Sequence, residues 1–116
     1  MATNGPAPEI CALVDERAGE CCEMCGRHAQ GGSRHHRRSK RVRRPDTNMP
    51  ANLVLLCGSG STGCHGWVHT HVREATELGL IVSQWATPAD VLVVLTTGIV
   101  YLDDYGNYVP TEGAAA

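Results

Sequence analysis

Residues 57–69 read CGSGSTGCHGWVH, and the fold turns on what this short stretch can hold together. Cys57 and Cys64 bracket six small residues rich in glycine and serine, a composition that lets a chain bend back on itself. His65 follows Cys64 directly. His69 lies four residues further on, one helical turn away on the same face. From His65 to Leu78 the apolar residues Trp67, Val68, Val72, Ala75 and Leu78 recur at spacings of three and four, which predicts one helix, with Gly79 as its stop.

Upstream, Asn52 to Cys57 (NLVLLC) has the apolar density of a buried strand, and Ser33 to Arg37 reads as a partner strand. Between them runs a basic segment with Pro45, Pro50, Asp46 and Asn48, all turn formers, so the two strands form a hairpin with a long basic tip. The order is strand, strand, helix. Glu9 to Ala18 predicts a short helix with Ile10, Leu13, Val14 and Arg17 on one face and Gly19 ending it. Residues 1–8 are small and proline-containing, and read as a disordered arm. Beyond the long helix, Leu80–Ser83, Val91–Thr97 and Ile99–Leu102 are rich in β-branched residues, with Gly98 and the DDYGNY segment as turns. The expected class is α+β: a main unit over 9–82, with a small β appendage and tail over 83–116.

A chain of 116 residues suits one core, but with no Phe, two Trp and three Tyr that core lacks most of the usual aromatic contribution. Six cysteines offer a substitute. The first residues have neither the basic start nor the apolar stretch of a secretion signal, so a reducing, cytoplasmic setting is expected, where clustered cysteines hold metal more often than they form bridges. The longest apolar run, Val91 to Leu102, is far short of the roughly 20 residues that span a bilayer. The net charge of −2 conceals an asymmetry: seven of the ten Lys and Arg fall between Arg34 and Arg44.

Cys22 and Cys25 are separated by two residues, Cys57 and Cys64 by six. Two such loops can aim four thiolates at one tetrahedral zinc ion. Cys21 competes with Cys22 for the ligand role, and Cys11 is expected to pack on the first helix. The plainer reading of all of them is buried apolar side chains. Among the histidines, His35 and His36 are neighbours on a strand, where successive side chains point to opposite faces and can do different work. His65 and His69 share a helix face and can bind one ion together. His71 lies off that face and reads as surface or DNA-proximal. A divalent ion that polarises a phosphate, beside a neutral imidazole that takes a proton from water, is equipment for phosphodiester hydrolysis.

The set Cys22 and Cys25, His35 and His36, Asn52-Leu53, Cys57, and Cys64-His65 to His69 resembles the HNH endonuclease family, particularly the small enzymes of tailed phages and actinobacteria. The resemblance covers about residues 9 to 82. It implies a ββα-metal (His-Me finger) core with a four-cysteine zinc knuckle, and a metal-dependent DNA endonuclease. Under it, His36 is the general base, Asn52 braces the hairpin loop, and His35, His65 and His69 hold a catalytic divalent ion, Mg, Mn, Ni or Zn. Cys22, Cys25, Cys57 and Cys64 hold structural zinc. Arg34, Arg37, Arg38, Lys40, Arg41, Arg43 and Arg44 contact DNA phosphates. The family context further implies phage terminase or other packaging proteins as partners, in the host cytoplasm.

The sequence departs from the family pattern in its widened second Cys pair, in Arg and Lys where Gly-Gly often precedes the Asn, and in a His where many members have Asp. An all-imidazole site favours Zn, Ni or Cu, whereas family members often work with Mg or Mn. The alternative is a non-catalytic zinc-stabilised module that binds DNA through Arg34 to Arg44.

Overall fold

The computed structural model describes residues 5–29 and 31–111. Half of the expected N-terminal arm (residues 1–4) and the alanine tail lie outside them, and the arm's last expected residue, Pro8, already belongs to a helix. Helix α1 spans Pro8–Ala18, with proline in its first turn, where a missing N–H costs nothing, and Gly19 at φ 61° closing its end. Strand β1 (Ser33–His36) pairs antiparallel with β2 (Leu53–Leu56), with Ser33 opposite Leu56, His35 opposite Val54 and His36 opposite Leu53. A short 3₁₀ turn, Pro50–Asn52, leads into β2. All four residues of β2 are buried, which is why this strand reads as a continuous apolar run and not as an alternation.

The helix expected over 65–78 is two helices, α2 (Gly63–Thr70) and α3 (Val72–Glu77), broken at His71. His71 has φ −124° and ψ 56°, outside the helical region, and its ring stacks on Trp67 with centroids 4.6 Å apart. Its Nδ1 also lies 3.0 Å from the Trp67 carbonyl. The apolar periodicity runs through the break because both helices face the same core. His71 thus ends α2 with its side chain folded back on Trp67 and half-buried.

The second sheet has the order β3-β4-β5, formed by Val93–Leu95, Gly98–Leu102 and Tyr108–Pro110. Leu80–Ser83 is not a strand. Leu80 is fully buried and bonds back to Ala75, while the Val82 N–H goes to the Arg37 carbonyl, so its apolar character reflects burial against the hairpin and not sheet pairing. Strand β5 lies beyond the DDYGNY turn. Val93, Leu95 and Leu102 of this sheet belong to the same hydrophobic core as Val14, Leu53–Leu56 and Val68, so the C-terminal sheet is packed into the core.

A buried polar network joins the layers. Arg17 on α1 makes a two-pronged contact with Glu23, both bonds 2.9 Å, and donates to the carbonyls of Pro50 and Leu53. Glu23 also accepts the Leu55 N–H at 2.8 Å and the Tyr108 hydroxyl at 2.6 Å. Partners within the fold thereby replace the water that burial takes from this carboxylate, as a buried charge requires.

Candidate metal centres and basic loop

Cys22, Cys25, Cys57 and Cys64 come together, and Cys21 does not join them. Cys21 instead forms an isolated β-bridge with His28, which turns its neighbour Cys22 inward and leaves Cys22 fully buried. The Sγ atoms of Cys25 and Cys57 lie 3.8 Å apart. Four thiolates at about 2.3 Å around a tetrahedral zinc stand roughly 3.8 Å from one another, so the spacing fits the ion. Backbone amides support both halves: Cys25 N–H points at Cys22 Sγ (3.5 Å) and Cys64 N–H at Cys57 Sγ (3.4 Å).

The widened second pair works because of two glycines. Gly58 has φ 85°, and a Cβ there would fall 2.1 Å from the Thr62 carbonyl oxygen. Gly63 has φ 61°, and its Cβ would fall 2.7 Å from the Cys57 carbonyl oxygen. Only a chain without side chains at both points can fold the six intervening residues tightly enough to return Cys64 to Cys57. Burial and the neighbouring thiols push the Cys64 thiol well above its ordinary range. Four crowded sulfurs cannot all ionise unless a cation compensates them.

The second cluster is His35, His65 and His69, whose ligand-capable nitrogens lie within 4.8 Å of one another, as do the sulfurs of the first cluster. Ring centroids stand 5.1 Å (His35–His65), 5.6 Å (His35–His69) and 4.8 Å (His65–His69) apart. His65 and His69 bring their Nε2 atoms to 3.1 Å, close to the roughly 3.4 Å expected of two nitrogens about 2.05 Å from one tetrahedral ion. His35 Nε2 lies 2.7 Å from the Leu80 carbonyl, which can only accept; that nitrogen therefore donates, and Nδ1 keeps the lone pair.

Burial pushes His35 down to about 4, helped by the charges of His65 and His69, and burial also lowers His65. At neutral pH the His35 and His65 rings are thus uncharged, the state a metal ligand needs. These residues fit a divalent ion, and His36 lies beside them: His35, His36, His65 and His69 line one cavity of about 660 Å³, with Lys40 at its edge.

The basic run divides in two. Lys40, Arg41, Arg43 and Arg44 line a second cavity of about 570 Å³, and their side chains reach solvent. Arg37 and Arg38, expected to contact phosphate, are 1% and 0% exposed, and the structure corrects that expectation. Arg37 donates to the carbonyls of Gly79, Ala51, Pro88 and Val91 at 2.8–3.0 Å. Arg38 pairs with Asp46 and donates to the Ala86 carbonyl. The Arg37 guanidinium satisfies loop carbonyls that would otherwise be buried without partners, and that of Arg38 is held by the Asp46 carboxylate and one loop carbonyl. Burial, with Arg17's charge acting the same way, brings Arg37 down to about 10, and it stays protonated at neutral pH. Arg34 is half-buried and tied to Asp15 on α1 by bonds of 2.9 and 2.5 Å, so it too is partly committed.

Asn52 is fully buried. Its Oδ1 accepts the Arg38 N–H at 2.7 Å and its Nδ2 donates to the carbonyls of Arg38 (3.1 Å) and Thr47 (2.9 Å), so it ties the two ends of the basic loop together. A residue with no role assigned from sequence, Asn48, places its Oδ1 2.7 Å from His36 Nε2. Sequence reading sees Asn48 only as a turn former, because its partner lies twelve positions away across the loop.

Among the described residues no helix is long and apolar enough to cross a membrane. Comparison with models of protein families, with curated proteins and with solved structures returns no match.

Proposed function

We propose that this chain is a metal-dependent DNA endonuclease of the HNH type, its β1–β2 hairpin and α2 forming a ββα-metal site. One observation carries the reading: three imidazoles from two elements converge, and a fourth, on the strand residue next to one of them, opens into the same cavity. A structural ion needs only one cluster, and the four-cysteine set already provides it in a core this poor in aromatic residues. Zinc held there contributes on the order of 10–16 kcal/mol of apparent binding free energy, typical of small structural sites.

His35, His65 and His69 would hold a divalent ion, which would supply Lewis-acid stabilisation of charge on the scissile phosphate and on the departing oxygen. His36 takes the proton from the attacking water. Lys40, Arg41, Arg43 and Arg44 neutralise phosphates along the strand, without reading bases, so cleavage is weakly specific. Asn52 holds the loop that carries these cations. A packaging terminase as partner belongs to this proposal through the family resemblance alone.

Supercoiled plasmid incubated with the protein and Mg, Mn, Ni or Zn is expected to give nicked circles. His36→Ala should abolish nicking while circular dichroism shows the fold intact. Nicking that survives His36→Ala removes the base assignment. Salt-sensitive binding with no nicking under any of the four metals identifies the chain as a DNA-binding zinc module.

A further inference from the structure

The contact between Asn48 and His36 has a supporting frame. Asn48 Oδ1 lies 2.7 Å from His36 Nε2. An amide oxygen only accepts, so the imidazole donates there, and a neutral ring that donates from Nε2 carries its lone pair on Nδ1. The acceptor is itself held in place. Asn52 bonds the Thr47 carbonyl, immediately before Asn48, and both backbone groups of Arg38, two residues after His36. The Thr47 hydroxyl adds a bond to the Val42 carbonyl and accepts the Arg44 N–H at 3.0 Å. Positions 38 and 47 are fixed relative to each other, and the adjoining chain carries His36 and Asn48. Asn48 also lines the basic cavity beside Arg41, Arg43 and Arg44.

We infer that Asn48 is a positioning residue, whose side-chain oxygen holds the His36 ring with Nδ1 as its basic nitrogen, and through which Asn52 acts on that ring. The catalytic consequence rests on the nuclease reading above; the ring contact does not. An imidazole on a strand can turn about two side-chain torsions, and a base that samples several orientations spends less time aimed at the water it must deprotonate. An acceptor fixed to the loop removes that freedom.

The experiment uses the full chain, wild type and the variants Asn48→Ala and Asn48→Asp, in two assays. Proton–nitrogen spectra of the histidine rings are expected to show a His36 Hε2 resonance sheltered from solvent exchange in the wild type. That resonance should be lost in Asn48→Ala and retained in Asn48→Asp, whose carboxylate still accepts. Plasmid nicking at saturating metal and DNA should fall about 10- to 100-fold in Asn48→Ala and recover in Asn48→Asp, with DNA affinity within about two-fold of wild type in the uncharged Asn48→Ala.

An Hε2 resonance absent from the wild type, or surviving in Asn48→Ala, overturns the contact. Nicking unchanged in Asn48→Ala, or lost only in step with DNA affinity, overturns the positioning role and leaves the nuclease reading standing. A wild type that nicks nothing but shows the predicted ring signals defeats the nuclease reading and keeps the Asn48–His36 contact.

Discussion

Replacing Arg37 with Met tests the division of the basic run most sharply. Methionine follows much of the arginine stem, so little cavity opens, but it offers no donor. The carbonyls of Gly79, Ala51, Pro88 and Val91 then lose their guanidinium partner together. The Pro88 carbonyl still accepts the Val91 N–H, which leaves three acceptors unsatisfied; at about 1–3 kcal/mol each they cost at least about 3 kcal/mol. A single domain has only about 5–15 kcal/mol of stability to lose. At about 4 °C per kcal/mol for a chain of this size, the melting temperature should fall by about 12 °C or more, or the variant should fail to fold. Differential scanning calorimetry of zinc-loaded Arg37→Met beside Arg41→Ala makes the comparison. The Arg41 variant, altered at a position open to solvent, should stay within about 0.5 kcal/mol of wild type. An Arg37→Met protein melting within about 3 °C of wild type would refute the structural assignment and return Arg37 to the pool of phosphate ligands.

Metal analysis should find zinc that Cys57→Ser fails to retain, and a strong chelator should abolish the cooperative melt; an unchanged melt after chelation contradicts the stapling role of the four-cysteine cluster. For DNA binding, Arg41→Ala, Arg43→Ala and Arg44→Ala should each lower the slope of log affinity against log salt by about 0.9, and three unchanged slopes would exclude the loop as the contact surface. For protein with zinc on the four cysteines but no ion on the three histidines, His35 is held at about 4 in the fold by burial, against 6.5 when unfolded. The unfolded chain therefore binds more protons below about pH 6.5, and stability present above that value should decline by about 3 kcal/mol as pH falls to about 4. Urea melts at about pH 7.5 and about pH 4.5 check this, and His35→Gln, which cannot titrate, should flatten the difference.

Much of the site was legible in the chain because its signals are local. Two cysteines flanking two residues, two histidines one helical turn apart, and a tandem pair on a strand each advertise geometry through spacing alone, and the two clusters contain the residues that spacing picked out. The ambiguity between Cys21 and Cys22 could not be settled that way, since adjacent residues differ only in the direction the backbone turns them. The bridge from Cys21 to His28 supplies that direction. The break at His71 was equally hidden, because an apolar stripe continues across two helices that share one core.

What the sequence by itself determined was therefore the donor inventory and its local pairing: which sulfurs and nitrogens travel together, and that a strand, a strand and a helical segment carry them. Tertiary structure decided how each charge is used. Arg37 and Arg41 are the same residue in the same run, yet carbonyls from positions 51 to 91 fold over the first and leave the second to solvent. Burial is a property of distant chain brought close. No window around position 37 contains the residues that close over it, just as none around His36 shows that Asn48 returns to meet its ring.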